Sequence, residues 1–256
     1  MTSDFITSRD NPWLKGLRKL AQDGAESRRA GQAWLEGDHL CRALLARGWR
    51  PEVGVFAQSL WPQVSGELAS AAPRNVILPD ALFEGVSGLP SPARMGFVIA
   101  LPDTPAIDAL APTVILDRVQ DAGNVGAILR SAAAFGFTQV VAIQGTAALW
   151  SPKVLRAGMG AHFGLRLLES VQPEALASLE VPVITTSSHG GSLLHHTDLP
   201  WPCAWAFGHE GQGVGPQVAA RAGLAVRIAQ PGGEESLNVA AAAAICLHAS
   251  AAGRVG

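Results

Sequence analysis

The stretch TVILDRVQDAGNVGAILRSAAAFG, residues 113–136, decides how this chain is read. Its opening TVILDRV is a short apolar run rich in β-branched residues, the pattern of a buried strand. A polar turn containing glycine follows, and a helix opens near Asn124, with Arg130 about two turns along from its start. The first turn of a helix leaves backbone N–H groups without intrahelical acceptors, which suits a phosphate-bearing ligand. A strand that delivers an asparagine, two glycines and an arginine to one cleft edge is a candidate site. An ordinary strand–helix joint, with a capping asparagine and a surface arginine, fits the same letters.

Two later stretches bear on that choice. AWAFGHEGQGVG, residues 204–215, is a short apolar run followed by Gly208, Glu210, Gly211, Gly213 and Gly215. VRIAQPGGEESLNVAAAAAICLH, residues 226–248, is a short strand, a Pro-Gly-Gly loop, and Ser-Leu-Asn opening an alanine-rich helix with Ser236 as its cap. Glycines after a strand let a ligand approach the backbone closely. Their spacing is G-x-x-G-x-G, so the dinucleotide fingerprint is absent, and no G-K-S/T phosphate loop follows any turn. A nucleotide-dependent enzyme of Rossmann type is thereby disfavoured. Together with NVGAILR, these blocks in this order resemble the SpoU (TrmH-like) branch of the SPOUT RNA methyltransferases. The resemblance runs from about Thr113 to the end and, more weakly, over the first hundred residues.

The chain has 256 residues, enough for one large or two modest domains, and its 48% hydrophobic content suffices for a full core. Its three cysteines, Cys41, Cys203 and Cys246, suggest neither a disulfide framework nor a zinc site, and a reducing cytoplasm fits. No signal-peptide core and no run of the roughly 20 apolar residues that a membrane span needs is present, so the expectation is a soluble protein. Net charge is −2, which argues weakly against nucleic acid. Yet nine of the 19 basic residues fall in the first fifty positions, against six acids, so a positive face there would suit an RNA backbone. A merely solvated helix face has the same composition.

Along the chain, Asp10-Asn11-Pro12 starts a helix with Leu14, Leu17 and Leu20 on one side and Lys15, Arg18 and Lys19 largely on the other. Short strands and helices then alternate to residue 101, an α/β domain of roughly a hundred residues. Within it a helix over 38–48 is capped by Asp38. Residues 102–112 carry three prolines and read as a linker. From residue 113 onward apolar strands each precede a helix, with Ser151 and Pro152 starting one and PEALASL forming another, which indicates a parallel sheet covered on both faces. Ligands on such sheets sit at the carboxyl ends of the strands, where all three blocks lie.

The resemblance implies more. The fold would be a small α/β RNA-binding domain (1–101), a linker (102–112) and a SPOUT parallel-sheet domain (113–256) whose C-terminal segment forms a trefoil knot. The activity would be S-adenosylmethionine-dependent methylation of a ribose 2′-hydroxyl in RNA, ribosomal rather than transfer RNA, by a cytoplasmic homodimer without a metal. Asn124, Arg130, Glu210, Ser236 and Asn238 match the family's catalytic motif positions. Gly208, Glu210, Gly213, Ile228, Ser236 and Leu237, with Thr185 and Thr186 on a neighbouring loop, fall where the cofactor is held. Arg9, Lys15, Arg18, Lys19, Arg28 and Arg29 are the candidate RNA contacts of the leading domain. His209, His195 and His196 receive no role. The chain departs from the family at Ala122, where a proline is usual, and at Ile228-Ala229-Gln230, where Ile-Pro-Met is usual. It also has no tyrosine, so base stacking falls to Phe, Trp, His or Arg. A non-catalytic RNA-binding relative is the alternative, and the intact motif residues argue against it.

Overall fold

The computed structural model describes residues 2–89, 91–187, 190–232 and 236–252. The elements are, in chain order, β1 (Thr2–Phe5), α1 (Pro12–Gln22), α2 (Glu26–Ala30), β2 (Gln32–Glu36), α3 (Asp38–Ala46), β3 (Val53–Ala57), α4 (Gly66–Ala69), β4 (Arg74–Leu78), α5 (Asp80–Glu84) and β5 (Met95–Ala100). Then come β6 (Thr113–Asp117), α6 (Ala122–Ala134), β7 (Gln139–Ile143), α7 (Pro152–Gly158), β8 (Arg166–Val171), β9 (Val183–Thr186), β10 (Ser192–Leu193), β11 (Ala204–Gly208), α8 (Pro216–Ala219), β12 (Ala222–Arg227) and α9 (Val239–Ala252). They form two compact units, Met1–Asp103 with Trp150–Phe163, and Thr104–Leu149 with Gly164–Gly256.

The first unit is a five-stranded sheet in the order β1-β4-β3-β5-β2, parallel across β1, β4 and β3 and antiparallel at β5 and β2. Its core gathers Leu14, Leu17 and Leu20 of α1 with Trp34, Val55, Val76 and Phe83. Asn11 caps α1 by accepting from the N–H groups of Trp13 (2.9 Å) and Leu14 (3.3 Å), and Pro12 follows at the first helical position, as the sequence suggests. At α3 the sequence reading fails, because Gly37 holds the cap position and Asp38 lies one residue inside, paired with Arg42 at 2.8 Å. Residues 150–163 pack in this unit although they lie within the span of the second domain read from sequence. Ser27 Oγ donates to the Trp150 carbonyl (3.0 Å) and Trp49 Nε1 to that of Phe163 (3.2 Å). Ser151 occupies the cap position of α7, but its side chain makes no capping bond.

The second unit is a seven-stranded, all-parallel sheet in the order β10-β12-β9-β11-β6-β7-β8. Every residue of β6, β7 and β11 is buried, the signature of a sheet covered on both faces. PEALASL is a 3₁₀ segment (Pro173–Ser178), not an α-helix. The proline-rich stretch before β6 is pinned to this unit: the Gln139 amide donates to the Asp108 carbonyl (3.1 Å) and accepts from its N–H (2.8 Å). Helix α9 is fastened to β11 by the Trp205 Nε1–Ser250 Oγ bond at 2.9 Å. The chain lays β7 and β8 on one side of β6 and β9, β11 and β12 on the other. Strand order therefore reverses at the β6–β11 pair, where Asp117 faces Gly208 in register. Such a reversal opens a crevice outside the carboxyl ends of the strands. Among the described residues, no helix is long and apolar enough to cross a membrane.

Candidate active site at the carboxyl edge of the parallel sheet

Four strand ends supply this site: Asp117 closes β6, Thr186 closes β9, Gly208 closes β11 and Arg227 closes β12. After β11 the chain makes a tight turn, with paired backbone bonds between His209 and Gly213 (3.0 and 2.7 Å) and Gly213 at φ +67°. A Cβ on Gly208 would sit 2.0 Å from the Gly213 carbonyl carbon and 2.1 Å from the Val214 nitrogen, so only glycine fits there. The turn carries Glu210 across to the loop after β6. There its Oε1 accepts from the Asp121 N–H and the Asn124 amide, both at 3.1 Å, and its Oε2 accepts from the Gln120 N–H at 3.3 Å.

Helix α6 begins at Ala122, and its cap is Asp121, whose Oδ1 accepts from the Asn124 N–H at 2.8 Å. This corrects the reading of Asn124 as the cap. Its side chain is freed for longer-range work: Nδ2 donates to Glu210, while Oδ1 accepts from Asn238 Nδ2 at 3.0 Å. Asn238, not Ser236, caps α9, its Oδ1 accepting from Ala240 N–H (2.9 Å) and Ala241 N–H (3.2 Å). The result is a directional chain from Glu210 through Asn124 and Asn238 to the α9 N-terminus. Chemistry fixes its direction, since an ionised carboxylate only accepts and a helix N-terminus only donates. Burial alone would raise the Glu210 pKa; its hydrogen bonds from its own N–H, the Asn124 amide, and the Asp121 and Gln120 N–H groups outweigh this and lower it.

A cleft of about 340 Å³ lies beside this chain. Thr186, Gly208, Glu210, Gly213, Ile228, Ser236, Leu237 and Asn238 all line it. Thr185 does not; successive strand residues face opposite sides, and Thr185 is buried in β9. Arg130 is exposed on α6, about 9 Å further along the axis than Asn124 and roughly 120° around it. Sequence reasoning did not assign Asp121 or Gln230. Gln230 lines the cleft with a buried Oε1 that has no partner among the described residues. Its displacement of a usual methionine was the available signal. Part of the Pro-Gly-Gly loop, Gly233 onward through Glu235, lies outside the described residues.

Of the basic candidates in the first unit, Arg9, Lys15, Lys19, Arg28 and Arg29 are exposed and Arg18 is partly so. Lys15 pairs with Asp10 (2.9 Å) and Arg29 with Glu26 (2.6 Å), while Arg18 donates to the Arg9 carbonyl at 3.0 Å. The cysteines are buried free thiols, with Cys203 pushed by burial to about 11 and Cys246 to about 12, so they stay protonated and unreactive. Among the described residues, no group of three or more His, Cys, Asp or Glu is placed to hold a metal ion.

An all-parallel sheet whose Gly-rich turn and Ser-Leu-Asn loop meet one cleft at a reversal of strand order is an open α/β domain with its ligand site at the carboxyl edge. Residues 111–248 match the model of the SpoU rRNA Methylase family, and the chain belongs to that family. It is 32% identical over 276 residues to an uncharacterized tRNA/rRNA methyltransferase of Synechocystis sp., covering 97% of this chain and 94% of that one. It is 29% identical over 247 residues to the 23S rRNA (guanosine(2553)-2′-O)-methyltransferase RlmP of Bacillus subtilis, covering 95% and 97%. The solved structure of an AdoMet-bound rRNA methyltransferase from Sinorhizobium meliloti matches with a TM-score of 0.86 at 25% identity over 99% of both chains. A TrmH-family protein from Porphyromonas gingivalis matches with a TM-score of 0.82 at 31% identity, covering 94% of this chain and 98% of that one.

Proposed function

We propose that the chain is an S-adenosylmethionine-dependent methyltransferase that modifies a ribose 2′-hydroxyl in RNA, ribosomal RNA rather than transfer RNA. The observation that carries this reading is the hydrogen-bonded meeting of three separate blocks, through Glu210, Asn124 and Asn238, beside one cleft. The similarity to RlmP, whose name gives it a 2′-O position on 23S rRNA, points to the same reaction class and substrate.

The cleft fits the cofactor. It combines close backbone approach at Gly208 and Gly213, apolar walls from Ile228, Leu237 and Val239, and the buried Gln230 Oε1, without a partner among the described residues, which suits an amino donor such as that of adenine. Thr186, Gly208, Gly213, Ile228, Gln230, Ser236 and Leu237 would hold it. S-adenosylmethionine supplies a methyl group on a sulfonium, already an excellent leaving group. What remains for the protein is alignment of the hydroxyl and removal of its proton. A guanidinium is effectively always protonated, so Arg130 is no base. It grips the phosphate next to the target ribose, and the proton goes to an oxygen of the RNA or of water. Glu210 braces Asn124 rather than acting as an acid.

On the same reading, residues 1–101 bind RNA through Arg9, Lys15, Arg18, Lys19, Arg28 and Arg29, and residues 102–112 link them to the methyltransferase domain. The chain follows the knotted path of its family and acts as a cytoplasmic homodimer.

Transfer of a labelled methyl group from S-adenosylmethionine to ribosomal RNA of a strain lacking the gene tests the proposal, with the product mapped as an alkali-resistant ribose. Arg130→Ala abolishes turnover while cofactor affinity, read by calorimetry, stays within two-fold. Near-normal turnover in that variant overturns the role of Arg130. A wild-type protein that binds RNA but transfers nothing overturns the activity and leaves the non-catalytic reading.

A further inference from the structure

A second crevice, of about 240 Å³, opens on the same carboxyl edge of the parallel sheet. Asp117, Arg118, Ile143, Gln144, Gln172, Pro173 and the start of α8 from Gly215 to Val218 line it. It lies across the Gly-rich turn from the cofactor cleft. Gly208, His209, Glu210, Gly213 and Val214 of the turn line the cleft, and the next residues, Gly215 to Val218, line the crevice.

Arg118 is held here in an unusual way. It is a non-glycine residue at φ +62°, a conformation that persists only where surrounding structure enforces it and that clusters at functional sites. Thr146 Oγ1 accepts its N–H at 3.0 Å, and its Nε donates to the buried Asp117 carboxylate at 3.0 Å. That carboxylate also accepts from the Gly215 N–H at 2.5 Å. Two glycines leave the arginine its space: a Cβ on Gly145 would meet Arg118 Cγ at 3.2 Å, and one on Gly215 would meet its Nη2 at 2.8 Å. Its Nη1 donates to Gln212 Oε1 at 3.2 Å, tying the guanidinium to the turn that walls the cleft.

The polar groups left over are mixed. Gln172 Nε2 donates to Gln144 Oε1 at 2.9 Å, which leaves Gln144 Nε2 to donate and Gln172 Oε1 to accept. Gln217 spends its amide N–H on Glu174 at 3.2 Å, leaving its oxygen to accept. Arg118 Nη2 has no partner among the described residues. A phosphate wants donors only, and the arginine charge is already balanced by Asp117. A neutral heterocycle with donors and acceptors along one edge fits this set far better. The rings of Pro173 and Pro216, over the buried Ile143 and Val218, give apolar surface against which its faces can pack.

We infer that this crevice receives an unstacked base of the substrate RNA, next along the strand from the ribose presented to the cleft, and reads its edge through Gln144, Gln172 and Arg118. The inference rests on the reading of the protein as an RNA methyltransferase and adds a specificity site to it.

Two measurements on the full chain test it. In the first, the paired substitutions Gln144→Ala and Gln172→Ala, both at exposed positions, raise KM for ribosomal RNA from a strain lacking the gene ten-fold or more. Affinity for S-adenosylmethionine stays within two-fold. Arg118→Gly, which suits the positive φ, acts in the same direction. In the second, the same RNA substituted with 4-thiouridine is photo-cross-linked to the wild-type protein, and peptides spanning residues 172–173 or 215–218 carry the adduct. An active wild type with unchanged KM in both variants overturns the crevice and spares the activity. Wild type that transfers no methyl group overturns the activity, and the cross-link then decides the crevice by itself. Adducts confined to other peptides overturn it.

Discussion

Asn238→Asp keeps one function of that side chain and removes the other. Aspartate caps a helix as well as asparagine does, and its charge at a helix N-terminus adds about 0.3–1 kcal/mol, so α9 keeps its start. What goes is the Nδ2–H that Asn124 Oδ1 accepts at 3.0 Å. Asn124 cannot recover it by turning its amide over, because its Nδ2 is committed to Glu210 at 3.1 Å and the turned amide would set two acceptors against each other there. One hydrogen bond is lost, worth about 1 kcal/mol, and two acceptors now face each other. With water partly substituting at these exposed positions, the assembled site loses about 1–2 kcal/mol. That is roughly a five- to thirty-fold fall in kcat/KM for methyl transfer, at about 1.4 kcal/mol per decade. Melting by calorimetry should fall by only a few degrees, since the charge at the helix N-terminus offsets part of that loss and each kcal/mol is worth about 2–4 °C in a chain of this size. Asn238→Ala, which loses the cap as well, should lower both. In an Asn124→Ala background the aspartate should cost almost nothing further. An equal loss in both backgrounds, or wild-type kcat/KM in the single variant, would refute the directional chain.

Gly208→Ala should abolish cofactor binding and lower the melting temperature, because its new carbon would lie 2.0 Å from the Gly213 backbone; Gly211→Ala, meeting nothing nearer than 3.8 Å, should leave both intact. Calorimetry reads the two side by side. Gln230→Leu removes a buried acceptor that has no partner among the described residues, so the free protein should be as stable as wild type or more so, while S-adenosylmethionine affinity falls about ten-fold. Retained affinity would take Gln230 out of the cofactor site. Glu210 is held below its ordinary value near 4.5 by the groups that donate to it, so its contribution is complete above that value. It is lost as pH falls through the lower, folded value, and a pH titration of wild type should show an acid loss of stability that Glu210→Gln lacks.

Much of this architecture is written locally. The largely apolar runs of β6, β7 and β11 announce strands covered on both faces, and Asn11-Pro12 announces the start of α1 through cap and ring chemistry confined to four residues. The order of the three blocks marks the family, and the placement of each after a strand puts it at the carboxyl edge. The caps were less legible. Asp121 and Asn124, or Ser236 and Asn238, are equally good capping residues by propensity, and nothing nearby in sequence chooses between them.

The sequence by itself determined which segments become strands, that the second sheet is parallel, and which loops crowd its edge, because periodicity and turn chemistry act over a few residues. Only the tertiary structure decided which side chains do the joining. Glu210 claims the Asn124 amide from 86 positions away, Asn238 is claimed from 114, and Trp150–Phe163 is drawn into the first unit by Ser27 and Trp49. A hydrogen bond between residues so far apart in the chain exists only after the sheet has brought their loops together, so no local pattern records it.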